Sequence, residues 1–334
     1  MDAAVSEGTP EKRGTWVTYR PEIKLLDCTV RDGGLMNNHR LSDDFVRAVY
    51  EACVAAGLDY MEVGYKASKR QYPTSDYGAW KHCDEDALRR VFGDNQTSLK
   101  LSAMADAERC DYRQDIVPSD QSVLDCIRVA TYVHQIPVAV DMILDAHEKG
   151  YEVVCQLMAV SAVGAQELEE VVKIVASTPV TCLYLVDSWG VLYSEQIRAL
   201  TQKYLSFCEP TGKEVGIHGH NNQQLAYANT IEAIIVGANR ADGTLYGMGR
   251  GAGNCPMELL LGFLKNPKFR LRPIIQCIQD WVLPLKDELR WGPDIPYMIT
   301  GQLNMHPRTA MQFIAGEGPK DIVSFYDSLL EEES

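Results

Sequence analysis

The chain has 334 residues, 46% of them hydrophobic and 23% charged, with a net charge of −14 and an isoelectric point near 5.0. That length holds one large α/β domain with an appendage, or two domains. The acidity argues against nucleic acid or an anionic membrane surface as the main partner. No apolar run reaches the length of a membrane span, and no signal-peptide pattern opens the chain. The ten cysteines stand singly, without a Cys-x-x-Cys pair, so we expect reduced thiols in a cytoplasmic protein.

Residues 1–20 are small, polar and charged, and are expected to form a flexible tail. Residues 23–30 predict an apolar strand running into Arg31-Asp32-Gly33-Gly34. Ser42 then reads as a helix N-cap, with Phe45, Val46, Val49, Tyr50, Cys53 and Val54 at helical spacing and Gly57 closing the helix. A second strand is expected over residues 60–65. The polar, aromatic loop after it, residues 66–83, is long for a compact domain, and such loops are often functional. Asp84 starts another helix. Strands follow over residues 99–104, 126–132, 151–160, 182–186, 215–220 and 239–245, with helices over 137–149, 165–176, 194–207 and 223–236.

Eight strands alternating with helices over about 240 residues predict a (β/α)8 TIM barrel across residues 21–265. The competing doubly wound sheet lacks its Gly-x-Gly-x-x-Gly after the first strand. Residues 266–334 break the alternation with Pro273, Pro284, Pro293 and Pro296, and predict a helical C-terminal extension.

The stretch Ile217-His218-Gly219-His220-Asn221-Asn222 carries the first chemical signal. Strand side chains alternate with period two, so His218 and His220 share one face. Such a pair is either half of a divalent-metal site or two hydrogen-bonded imidazoles at a strand end. In a barrel the active site lies at the C-terminal strand ends. Asp32, Glu62, Arg128, Asp187, His218 and His220 fall on the strands or just after them, and Asn254 ends a glycine-rich run after the eighth strand. One carboxylate, two imidazoles and an amide oxygen suit Mn²⁺ or Mg²⁺, with Co²⁺ or Zn²⁺ as alternatives. The glycine-rich run either cradles a phosphate or lets Asn254 approach the metal closely.

Thr29-Val30-Arg31-Asp32-Gly33, His218-Gly219-His220-Asn221 and residues 247–254 together resemble the strand-one, strand-seven and strand-eight signatures of the DRE-TIM metallolyases. The resemblance covers residues 23–261, and the glycine-rich wording is most similar to the 4-hydroxy-2-oxovalerate aldolase-like branch. It implies metal ligation by Asp32, His218, His220 and Asn254, with Arg31 stabilising the enolate. The activity implied is aldol or retro-aldol chemistry on a 2-oxo acid and an aldehyde, through a metal-bound enolate, in a homodimer. Two alternatives stand beside it: a Claisen-type acyl-CoA enzyme, and a non-catalytic metal-binding barrel.

The sequence departs from that branch at Leu35, where the branch has its base histidine. His39 and Tyr297 are the replacement candidates as catalytic residues, with His306 in the same C-terminal stretch. Tyr65, Lys66, Glu62, Arg128 and Asp187 are expected to contact substrate. Asp27, on the face expected for Arg31, either orients it or is a structural carboxylate.

Overall fold

Apolar strands that must bury both faces can do so only inside a shell of helices, and this chain has eight of them. They are β1 (Lys24–Asp27), β2 (Tyr60–Tyr65), β3 (Lys100–Asp106), β4 (Cys126–Thr131), β5 (Glu152–Leu157), β6 (Cys182–Asp187), β7 (Glu214–Gly219) and β8 (Arg240–Gly243). Every residue of β2, β4, β6 and β8 is buried. The structure, a computed structural model, describes residues 22–332, so the tail expected over residues 1–20 lies outside the described residues.

Each strand pairs in parallel with the next, and β8 returns to β1 through pairs from Lys24↔Arg240 to Asp27↔Gly243. The sheet closes into an eight-stranded barrel with helices between the strands. This is the expected (β/α)8 barrel. The connecting helices start and stop where local chemistry directs. Helix Asp43–Ala56 is capped by Ser42, whose hydroxyl accepts from the Phe45 N–H at 3.2 Å, and it ends at Gly57 with φ of 75°.

β1 is shorter than the expected 23–30. The Asp27 carboxylate accepts from the Thr29 N–H at 3.1 Å and the Thr29 hydroxyl at 2.7 Å. That local competitor pulls the chain out of the sheet ladder. Residues Thr29–Gly33 therefore form a helical turn at the barrel mouth. Arg31 and Asp27 do not share a strand face; Asp27 serves the turn instead.

The barrel interior is charged in its middle layer. Arg128 lies 3.0 Å from Glu62 and 2.5 Å from Asp242, with its guanidinium 4.7 Å from the Tyr184 ring. All of these side chains are buried, which is tolerable because each charge meets an opposite one.

After β8, helices Met257–Leu264, Leu271–Cys277, Leu283–Leu289, Ile295–Gln302, Arg308–Ile314 and Ile322–Glu332 follow the barrel. Tyr297, Ile299, Ala310, Phe325 and Leu329 form a small core that also contains Ala252 of the β8 loop. Burying a large apolar side chain contributes about 1.5–3 kcal/mol, so this cluster helps to dock the last helices on the β8 loop. Among the described residues, no helix is long and apolar enough to cross a membrane.

Candidate active site and metal centre

The Thr29–Gly33 turn points Asp32 at β7, and the period-two spacing of His218 and His220 brings both rings to the same place. Their centroids are 5.1 Å apart, and His220 Nδ1 lies 4.0 Å from Asp32 Oδ2. One ligand atom each from Asp32, His218 and His220 falls within 4.8 Å of the others. Asn254 closes the group by donating its Nδ2 to Asp32 Oδ2 and to the Met248 carbonyl at 3.3 Å. A Cβ at Gly249 would collide with that amide and sit 2.7 Å from Asp32 Oδ2. Gly249 thus leaves room for Asn254 to approach Asp32.

Three buried polar atoms in this group make no hydrogen bond: His218 Nε2, Asn254 Oδ1, and Asp32 Oδ1, which has only the Arg31 guanidinium at 3.2 Å as an ion-pair neighbour. Buried polar atoms left alone cost free energy. A hard divalent cation matches all three, together with a His220 ring nitrogen, as oxygen and imidazole donors. The residues fit a metal.

The electrostatics favour the same occupant. Burial alone would raise the Asp32 carboxyl, but the adjacent Arg31 guanidinium holds it well below the usual carboxylate range. Burial pushes His220 down to about 3. Both groups are therefore in the ligand-competent form at neutral pH. In the other cluster of potential ligands, Cys28, His218 and Asp242, the facing atoms of His218 and Asp242 are spent on each other. Asp242 Oδ2 takes His218 Nδ1 at 3.0 Å and Arg128 at 2.5 Å, which leaves His218 Nε2 directed at Asp32 and His220.

Arg31 is held by Glu62, with Nε to Oε2 at 2.7 Å, and lies 3.2 Å from Asp32 Oδ1. It lines a pocket of about 170 Å³ together with Asp32, Leu35, Tyr65, His218 and His220. Leu35 presents an apolar side chain there.

Most of the residues expected to contact substrate are engaged elsewhere in the fold. Glu62 and Arg128 sit in the barrel interior, where Glu62 orients Arg31 and Arg128 bridges Glu62 and Asp242. Lys66 turns away from the mouth to the Cys83 carbonyl at 2.8 Å and Glu85 at 3.1 Å. Asp187 accepts from the Val191 and Leu192 N–H groups at 3.0 and 3.2 Å, fixing the loop after β6. Tyr65 alone of that group lines the pocket.

Of the expected catalytic replacements, His39 is wedged against Gly34 with its ring 5.2 Å from Tyr65 and does not line the pocket. Burial pushes it down to about 3. Tyr297 packs on Gly251 and Ala252, also outside the lining. His306, from the same C-terminal stretch, does reach the pocket. Its Nδ1 accepts from the Arg308 N–H at 3.0 Å, so the neutral ring carries its proton on Nε2. Lys81, Asp106, Arg109, Arg250 and Arg308 also line the pocket; no periodic pattern marks them in the sequence.

A closed parallel barrel with an Asp–His–His group, an amide and a buried arginine at its mouth defines a metal-dependent barrel enzyme. The HMGL-like family model matches residues 22–272, and the chain belongs to that family. An oxaloacetate decarboxylase of Mycobacterium tuberculosis is 32% identical over 257 residues, 75% of this chain and 71% of the relative. A 4-hydroxy-2-oxovalerate aldolase of Pelotomaculum thermopropionicum is 32% identical over 276 residues, 81% and 78% of the two chains. Among solved structures, the N-terminal domain of a proposed aldolase from Bacteroides vulgatus aligns with a TM-score of 0.74 and 28% identity, covering 87% of this chain and 96% of that one. An HMG-CoA lyase from Bacillus subtilis aligns at 0.67 with 14% identity over 82% and 96%, a likeness of fold. The resemblance to the DRE-TIM metallolyases holds, and the chain is a metal-dependent carbon–carbon lyase of the aldolase type.

Proposed function

We propose that the chain cleaves or forms the bond between C3 and C4 of a 4-hydroxy-2-oxo acid, with a 2-oxo acid and an aldehyde as the other side of the equilibrium. The observation that carries the reading is the convergence of Asp32, His218 and His220 with Asn254, whose Oδ1 and the His218 Nε2 are buried without a hydrogen bond, beside Arg31. Asp32, His218 and His220 would hold the ion, with Asn254 Oδ1 as a fourth donor. Mn²⁺ or Mg²⁺ is the reading for its identity, because no thiolate is in the set. When bound, the metal supplies Lewis acidity toward the keto and carboxylate oxygens of the 2-oxo acid.

The chain's own residues do the rest. In the cleavage direction the C4 hydroxyl gives up its proton to solvent, the C3–C4 electron pair passes into an enolate as C4 becomes the aldehyde carbonyl, and C3 then takes one proton from solvent. Arg31, fixed by Glu62, places a permanent cation where the enolate charge develops. Its geometry is preset, so it does not reorganise during the reaction. His306 presents Nε2–H to the pocket and offers a hydrogen bond to the aldehyde oxygen. Leu35 keeps one wall apolar.

All ten cysteines are free and buried, which fits the reading of a metabolic enzyme in a reducing compartment such as the cytoplasm. The test is release of pyruvate from 4-hydroxy-2-oxovalerate by Mg²⁺-loaded protein, with an EDTA-treated control. Metal-dependent release supports the reading. Equal release from the stripped protein would overturn it.

A further inference from the structure

Five lysine and arginine side chains line the pocket, and four of them, Lys81, Arg109, Arg250 and Arg308, are in no ion pair among the described residues, whereas Arg31 is paired with Asp32 and Glu62. In a chain with 46 acidic residues against 32 basic, carboxylates for pairing are plentiful. Leaving four cations unpaired around one concavity creates a local positive field in an acidic molecule. Two carboxylates share that lining. Asp32 is engaged by Arg31 at 3.2 Å. Asp106 acts through space on Lys81 and Arg109 without forming an ion pair with either. Four cations thus face one free carboxylate.

Lys81 is the most constrained of the four. It is 6% exposed, with its ammonium 4.2 Å from the ring centres of both Tyr65 and Tyr72 and 5.9 Å from Tyr77. Aromatic faces hold a cation without neutralising it, so the charge stays available to a ligand. The others converge from separate elements: Arg109 after β3, Arg250 after β8 and Arg308 from the C-terminal helices. Guanidinium forks suit the oxygens of a carboxylate or phosphate.

A 2-oxo acid brings one carboxylate, which the metal centre held by Asp32, His218 and His220 would receive. We propose that the outer half of the pocket binds a second anionic group, so that the aldehyde partner carries a carboxylate or a phosphate away from its carbonyl. This rests on the 2-oxo acid reading above. Lys81, Arg250 and Arg308 then act as specificity residues, contributing to binding of the aldehyde rather than to enolate formation.

The test uses the metal-loaded full chain, pyruvate, and two matched aldehyde pairs: butanal against succinic semialdehyde, and glyceraldehyde against glyceraldehyde 3-phosphate. Exchange of pyruvate methyl protons in D₂O serves as the control for the underlying reading. We expect the anionic member of one pair to have a kcat/KM at least about tenfold above its neutral partner. The preferred pair tells carboxylate from phosphate. The ratio should fall toward one in Lys81→Met and in Arg308→Gln, the latter a change at an exposed side chain, with the loss carried by KM. Raising the ionic strength should also shrink it. Pyruvate exchange with no preference in either pair would overturn this inference and leave the 2-oxo acid reading standing. Absence of exchange in the wild type would overturn that reading, and this inference with it.

Discussion

His218 Nδ1 lies 3.0 Å from Asp242 Oδ2, and the same oxygen receives Arg128 at 2.5 Å. The contact fixes which nitrogen of His218 remains for a metal and turns the ring toward Asp32. Outer partners of this kind typically affect metal affinity by about 10–100-fold. Asp242→Asn should weaken Mn²⁺ binding by that order in calorimetric titration, without removing any ligand. Unchanged affinity would mean that the ring is positioned by packing alone.

Arg31 and Asp32 are adjacent but have separable tasks. Asp32→Ala and His218→Ala should abolish metal binding and turnover together. Arg31→Ala should keep the metal bound, because Arg31 supplies no ligand atom, while kcat falls by roughly 10²–10³. A parallel loss of metal and rate in Arg31→Ala would assign it a structural role through Glu62.

His306 bears on the pH profile. Burial, with Arg250 and Arg308 nearby, pushes its pKa down to about 4. It therefore stays neutral through the physiological range and donates from Nε2 at every working pH. His306→Ala should lower kcat/KM by about fivefold, the worth of a hydrogen bond of about 1 kcal/mol. The shape of the wild-type profile between pH 6 and 8 should be the same in the variant. Loss of an inflection in that range would show His306 titrating as a base.

Asp27 links folding to pH. Burial raises its carboxyl from 3.8 to about 7, against the pull of its hydrogen bonds from Thr29. Between those two values the folded chain holds a proton that the unfolded chain has lost, so this group's contribution to stability falls as pH rises from about 4 to 7. Asp27→Asn cannot titrate. The difference in Tm between wild type and variant should therefore drift against the wild type across that window, in EDTA to remove metal effects. A constant difference would place the Asp27 carboxyl near its ordinary value.

Much of the fold and part of the site were legible in the sequence because two periodicities suffice for them. The period-two pair His218 and His220 needed only strand geometry, and the strand–helix alternation gave the barrel. Depth along a strand was harder to read. Glu62, Arg128 and Asp242 each stand third in their strands, which places them inside the barrel rather than at its mouth. Loops hid the rest. Lys81 and Arg308 reach the pocket through turns whose course depends on tertiary packing. Asp27 diverted β1 by capturing Thr29, a local hydrogen bond that an apolar run does not reveal.

The most direct measurement of the central claim is proton–deuterium exchange at the pyruvate methyl group, followed by NMR in D₂O with Mg²⁺-loaded protein and an EDTA-stripped control. An enolate formed at the metal and stabilised by Arg31 predicts exchange that requires the metal and is sharply reduced in Arg31→Ala. Exchange that persists in stripped protein, or its absence from metal-loaded protein, would contradict it.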